Sequence, residues 1–498
     1  MMTLAATGRR TALPLLLGLS LATNPARAEP PVDLADRLHL LADRSLMAEV
    51  AGLAWRLHEP VPQPLAQSPL VGAYATVIRD GDLFRAWYRA TDPSYRGETA
   101  SGHPGEITCY AESRDGQEWS FPKLGLFEVA GHRDNNVVLA GQPPFSHNFS
   151  PFLDTRPGVP PEERYKAVAG HPGHQRKVRT DGLHGFVSAD GLRWRKLEGG
   201  PILAYDPSWS HAFDSQNSAF WSEAEGCYVC YFRTWAPHAG AEAGAAAGSE
   251  AGRKGELRGI SRATSADFRI WSQPVTMNAN LPGEHLYTSQ THPYFRAPHL
   301  YIALPTRYMA GRLGAGKAHS MLGSTDILLM TSQAGSTRFD RPFTEAFLRP
   351  GLDPERWASR ANYAALNIVP TGPAEMSIYH ARSGRRHTLR TDGFVSLRAA
   401  ATEGECRTRP LRFTGTELVL NAGTSAAGCL RVEIQDVKGK PLPGFALADC
   451  EELVGDAIEL PVRWRAGTDL AALAGQPVRL RFVLREADLY ALRFRTAD

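Results

Sequence analysis

Six cysteines in 498 residues are too few and too scattered for a disulfide-stapled scaffold. Cys227 and Cys230 lie three apart in an apolar run, which on a strand puts them on opposite faces and excludes a bond between them. No second cysteine pair accompanies them, so a zinc knuckle is excluded as well. Buried thiols are the expectation, with one bridge among Cys406, Cys429 and Cys450 left open. After residue 28 no apolar run is long enough for a membrane anchor. Net charge is scarce too: 55 Lys and Arg stand against 52 Asp and Glu, leaving +3 and no field to draw nucleic acid or a membrane surface. His-x-His and His-Glu-x-x-His spacings are missing, so no cofactor is expected, with a structural cation in the propeller left open.

The first 28 residues have the layout of an export signal. Arg9 and Arg10 precede an apolar core at Leu15–Leu21, and Ala26-Arg27-Ala28 offers a small-x-small cleavage site before Glu29. A periplasmic or secreted protein is therefore expected.

Four degenerate copies of a short motif organise the rest. Ser113-Arg114-Asp115-Gly116-Gln117-Glu118-Trp119 and Ser188-Ala189-Asp190-Gly191-Leu192-Arg193-Trp194 are the fullest. Ser265-Ala266-Asp267-Phe268-Arg269-Ile270-Trp271 loses its glycine, and Ser332-Gln333-Ala334-Gly335 keeps only the outline. The aspartates Asp115, Asp190 and Asp267 are 75 and 77 residues apart. Each copy reads as a tight turn: Ser and Asp bond the local backbone, Gly supplies a positive φ, and Trp packs between sheets. Strand–turn–strand patterns recur with the motif, as in Ala73–Ile78 with Leu83–Tyr88 and Ser218–Trp221 with Gly226–Phe232. Five such hairpins predict a five-bladed β-propeller over 29–398, after a signal peptide at 1–28. Alternating runs such as Leu430–Ile434 and Val478–Leu484 predict a β-sandwich over 399–498. The fold class is all-β. Ala239–Gly255, rich in Ala, Gly and Glu, reads as a surface loop, and Asp33–His58 as a short helix or a ring-closing strand.

A propeller gathers the starts of its inner strands around one funnel, so polar residues there are the candidate site. Asp214 and Glu284 are the expected catalytic pair, one carboxyl protonating a leaving oxygen and the other activating water or attacking carbon. Asp154 is a third candidate, although Asp-Thr-Arg-Pro-Gly also reads as turn chemistry. Asn148, Asn217, Tyr287, His292, Arg307 and Asn362 are the expected substrate contacts. His147, His211 and His285 also fall at strand starts. Asp43 reads as a surface residue.

The hairpin pattern, the segments Asn148–Asp154 and Phe213–Trp221, and the appended β-rich part resemble the five-bladed propeller glycoside hydrolases, among them arabinanases, xylosidases, levanases and invertases. Arg349-Pro350-Gly351-Leu352-Asp353 and Val369–Ser377 look like exported members with a C-terminal β-sandwich. The resemblance implies an exported hydrolase of poly- or oligosaccharides. Those hydrolases carry an aspartate on the first inner strand, where this chain has Tyr74. A non-catalytic glycan-binding propeller is the alternative. A sialidase, which the turn motif also resembles, would need six blades and three gathered arginines.

Overall fold

The structure, a computed structural model, describes residues 30–64, 74–170, 181–237, 256–277, 279–312, 323–352, 356–357, 362–381, 383–465, 467 and 469–497. The export signal and the Ala239–Gly255 segment lie outside them. The protein is all-β, with 48% of residues in strands and 3% in helix. No helix among the described residues is long and apolar enough to cross a membrane.

Five meander sheets follow one another along the chain. The first runs Thr76–Asp80, Leu83–Thr91, Glu106–Ser113 and Val137–Leu139; the second runs Ser150–Leu153, Tyr165–Ala169, Gly182–Ser188 and Arg195–Lys196. The third comprises Ser218–Ser222, Cys227–Pro237, Glu256–Ser265 and Val275–Thr276, and the fourth His292–Tyr294, Ala297–Ala303 and Met330–Gln333. The fifth combines Val369–Pro370, Glu375–Tyr379 and Arg386–Arg390 with Val61–Pro62 from the other end of the chain. First strands neighbour one another in chain order through the fourth sheet, and the fifth returns to the first. Ile368 N donates to His292 Nε2 at 3.1 Å, joining fourth to fifth.

The repeated motif closes the turns after the third strands. Asp115 Oδ1 accepts from the backbone of Gln117 and Glu118 at 2.8 and 2.9 Å, and Asp190 Oδ1 does the same for Leu192 and Arg193 at 2.8 Å each. Gly116 and Gly191 both sit at φ 73°. In the third copy Phe268 takes φ 66° without a glycine's freedom, and its ring is fully buried against Phe152 and Tyr228. Each turn docks on the preceding sheet: Trp87 Nε1 donates to Gly191 O at 2.8 Å, and Tyr379 Oη donates to Gly116 O at 2.5 Å.

The ends of the first strands carry a second repeated device. Asp80 accepts from Tyr165 Oη of the next sheet. Asp154 accepts from Tyr228 Oη at 2.7 Å, and Glu225 from Tyr301 Oη at 2.6 Å. Asp154 also holds buried Lys166 Nζ at 2.7 Å, so its carboxylate is one of a series of sheet-to-sheet bolts.

The hairpin of the fourth sheet runs on past Leu304-Pro305. Its extension, Thr306–Ala310 with Gly323–Ile327, pairs with His285–Leu286 as a separate three-stranded sheet.

Eight of the remaining strands form one sheet dominated by the long Glu417–Gln435 and Arg479–Arg495, and Val32–Ala35 pairs separately with Leu411–Phe413. Leu430, Val432 and Ile434 alternate inward against Leu480, Phe482 and Leu484 in one core. The expected division at 398 needs correction. Ala54–Leu57 pairs with Val395–Ala399, Met47–Ala51 with Gly404–Thr408, and His39–Leu40 with Arg479–Arg495. Leu34, Leu41 and Leu46 bury in that same core, so residues 32–57 belong with the C-terminal strands. Their apolar side chains find cover there, each contributing about 2 kcal/mol of burial. Asp43 is buried, not on the surface; it caps Ser45 N at 2.9 Å and accepts from Gln333. All six cysteines are free thiols, so the bridge left open in the C-terminal part is not made.

Candidate functional site

Antiparallel pairing brings the starts of first and third strands and the ends of second strands to one end of the ring. Thr91 opposes Glu106, and Pro237 opposes Glu256. This end, the mouth, holds a contiguous row of rings contributed by separate segments. His147 meets Tyr74 edge-on at 5.7 Å; Tyr74 stacks on Tyr363 at 5.4 Å; Tyr363 stacks on Tyr287 at 5.7 Å with planes 8° apart. Tyr287 meets Tyr308 at 6.5 Å, Tyr308 meets His285 at 5.6 Å, and His285 meets Trp235 at 5.6 Å.

Three guanidinium groups lie over these rings. Arg89 is 4.9 Å from the Tyr74 centroid, Arg233 4.7 Å from Tyr287, and Arg258 4.2 Å from Trp235. Cation–π contact in a desolvated setting fixes both partners. Asp214 Oδ2 sits 2.6 Å from Arg233 Nη2 and 3.3 Å from His211 Nε2. Burial alone would lower the Arg233 pKa, but Asp214, Tyr287 and Tyr74 outweigh it and hold the cation above its usual range. Burial, then the charges of Tyr287 and Asp214, push the Tyr74 hydroxyl up, so Tyr74 stays a neutral phenol. Glu106 lies beside His147 Nδ1 at 2.8 Å and Arg89 Nη1 at 3.8 Å. Burial would raise its pKa, yet the bond and charge of His147, with Arg89 and His103, hold it below the ordinary range.

Of the expected site residues, the structure brings Asp214 and Tyr287 together in this mouth. His147, His211 and His285 join them. The others go elsewhere. Asp154 is at the opposite end of its strand, in the bolt described above. Glu284 faces away: His285 and Tyr287 share a side, both touching Tyr308, so the residue before them points to the other side. There it is 2% exposed, gripped by Arg341 Nη2 at 3.0 Å and Leu281 N at 3.0 Å.

Asn148 and Asn217 are fully buried beneath the mouth. Both donate to Phe213 O and Ser215 O, at 2.9 and 2.9 Å from Asn148 and 3.1 and 3.0 Å from Asn217. Phe213 turns at φ 62°, which leaves those carbonyls without ladder partners and draws the amides inward. Gln290 Nε2 donates to Gln216 Oε1 at 2.7 Å, and Gln216 Nε2 to Thr76 Oγ1 at 2.9 Å, closing the axis below the mouth. His292 joins this layer, with Nδ1 2.9 Å from Gln290 O and Nε2 accepting from Ile368. Burial pulls its pKa down to about 4, against the opposing pull of the Gln290 carbonyl. Asn362 Nδ2 donates to Thr325 O at 3.0 Å and Arg356 O at 2.8 Å. Arg307 forms a fork on Asp326 at 2.9 and 2.6 Å, its cross-strand neighbour. These residues serve the fold.

Arg89, Glu106, Arg233, Trp235, Arg258 and Tyr308 were not anticipated. They sit on second and third strands and on the hairpin extension. The signal that marks them is a cation alternating with an aromatic at a strand end, as in Arg233-Thr234-Trp235.

No family model and no curated protein matches the sequence. Solved structures give distant likenesses. One glycoside hydrolase matches with TM-score 0.41 and 13% identity, over 67% of this chain and 91% of that one. An α-L-arabinofuranosidase from Clostridium thermocellum matches with TM-score 0.36 and 12% identity, over 61% and 80%. A β-fructofuranosidase from Bombyx mori matches with TM-score 0.37 and 11% identity, over 89% and 95%. Likenesses at this level leave the chemistry of the mouth to be read from its own side chains.

Proposed function

We propose that this protein is an exported carbohydrate-active propeller that recognises a sugar at the mouth. The five sheets are its blades, Val61–Pro62 closes the fifth, and the C-terminal strands wrap as a β-sandwich. The row from His147 to Trp235 carries the reading. Six of its seven rings are buried, so half-buried Tyr287 is the ring that meets the apolar face of a pyranose or furanose, with Asp214 beside Arg233 to bond its hydroxyls. Calorimetric titration with a panel of oligosaccharides tests it. Saturable binding that Tyr287→Ala weakens is expected; a panel without saturable binding would overturn it.

A second reading, glycoside hydrolysis, rests on Asp214, whose side chain is 14% exposed in the mouth. The general acid it needs is not Glu284 or Asp154, which face other parts of the molecule. Sugar release from a polysaccharide panel, lost in Asp214→Asn while binding persists, supports hydrolysis. Binding without release leaves the recognition reading alone. Because buried Arg233 loses its counter-charge in that variant, some loss of stability accompanies it.

Export with cleavage after Ala28 completes the reading. Intact mass of protein from a secreting host should show Glu29 first; a cytoplasmic product retaining Met1 would refute it.

A further inference from the structure

Tyr74 stands in the mouth's row of rings between His147 and Tyr363, at φ 54°. A bulky residue keeps that backbone conformation only where its surroundings impose it. Tyr74 is 4% exposed, yet its hydroxyl makes no hydrogen bond among the described residues and is not sealed from solvent. A buried phenol usually has a partner, so this one waits for a group from outside. Burial first, then the charges of Tyr287 and Asp214, keep it protonated, and it offers a donor. The guanidinium over its ring offers more. Arg89 spends Nη1 on His147 O at 2.9 Å, while its Nε and Nη2 have no partner among the described residues. The carboxylate it pairs with, Glu106, is 3.8 Å away and is engaged by His147 Nδ1 at 2.8 Å. Asp214 answers Arg233 at 2.6 Å, and Glu256 accepts from Ser210 Oγ.

We infer that the mouth selects an acidic sugar, a uronic acid, whose carboxylate accepts from Tyr74 Oη and from the open edge of Arg89. This rests on the reading of the mouth as a sugar site and names the class of sugar. A neutral sugar's hydroxyl can take one of these bonds, but it brings a proton of its own and leaves the cation unanswered. A carboxylate takes both bonds, brings no proton, and matches the flat fork of a guanidinium. Asp214 remains for the hydroxyls of that sugar. Tyr74 is then the residue that sets specificity, in the place where the glycoside hydrolases of similar pattern carry an aspartate. An aspartate there would repel the charge that a neutral phenol welcomes.

Calorimetric titration of the full chain with trigalacturonate and triglucuronate, each beside its methyl ester, tests the class. The ester keeps the sugar skeleton and removes the charge. One of the acids should bind roughly tenfold tighter than its ester, with an advantage that shrinks as salt rises. Tyr74→Phe should weaken that acid roughly tenfold, the worth of one hydrogen bond to a charged group. Its melting temperature should not move, because the hydroxyl removed has no partner among the described residues. Arg89→Gln should close the gap between acid and ester; if that variant does not fold, Tyr74→Phe carries the test alone. Esters that bind as tightly as their acids overturn the inference, and so does wild-type affinity for the acid in Tyr74→Phe. If a neutral oligosaccharide saturates the mouth and neither acid does, the acidic class falls while sugar recognition stands. If no sugar saturates it, acidic or neutral, sugar recognition falls and the inference with it.

Discussion

At the far end of the ring, Asp80, Asp154 and Glu225 each meet a tyrosine hydroxyl of the following sheet, so one arrangement recurs at three successive junctions. At the mouth, Glu106 and Asp214 meet histidine and arginine, and the groups around them differ from sheet to sheet. Repetition is what a closed ring needs from its joints. Departure from repetition is what a ligand needs from its site. A carboxylate's residue type therefore says less about its work than whether its surroundings recur.

The largest expected effect tests the repeated end. Asp154→Ala takes from buried Lys166 the nearer of its two carboxylates, leaving Glu163 at 3.4 Å, and leaves Tyr228 without its acceptor, a loss of about 3 kcal/mol. Urea unfolding measures it, and a loss under 1 kcal/mol would break the comparison. The amide layer comes next. His292 has a folded pKa of about 4 against 6.5 unfolded, so the unfolded chain binds more protons between those values. Stability is then full above pH 6.5 and falls as pH drops, by about 2 kcal/mol from this residue at pH 5. Urea midpoints at pH 7 and pH 5 read the slope.

Gly191→Ala forces a side chain into φ 73° with its Cβ 2.9 Å from Trp87 Cζ2, costing about 1–2 kcal/mol in thermal unfolding. Phe268 shows that the same turn can absorb a non-glycine residue when a buried ring compensates. The smallest effect on the fold and the sharpest on the mouth is Tyr287→Ala. This half-buried ring sits mid-row, and sugar affinity should drop about tenfold, near 1.4 kcal/mol. If stability falls and affinity does not, Tyr287 belongs with the structural residues.

The turn motif and the hairpins were legible because both depend on neighbours a few residues away. Asp115 and Asp190 close their turns with the bonds their spacing implies. Pairings such as Arg56 with Ser396 have no local signature, which is why the N-terminal strands were assigned to the wrong body. The mouth was half legible. Asp214 and Tyr287 flank first-strand segments, as the funnel argument requires. Glu106 opens a third strand, and Arg89 and Arg233 lie near the ends of second strands, so a search of first strands passes over them. Asn148 and Asn217 look like ligand contacts in sequence because nothing local reveals that the carbonyls of Phe213 and Ser215 turn toward them.

The clasp formed by residues 32–62 governs how this chain comes into being. Strands made first must wait for partners made last, since Val61 pairs with Thr388 and His39 with Leu492. Until nearly the whole polypeptide has emerged, Val61–Pro62 lacks the rest of the fifth sheet and the strands between 39 and 57 lack the C-terminal sheet. Such long-range closure is slow and leaves unpaired strands open to wrong partners. The C-terminal sheet cannot complete its pairing before Arg479–Arg495 is made.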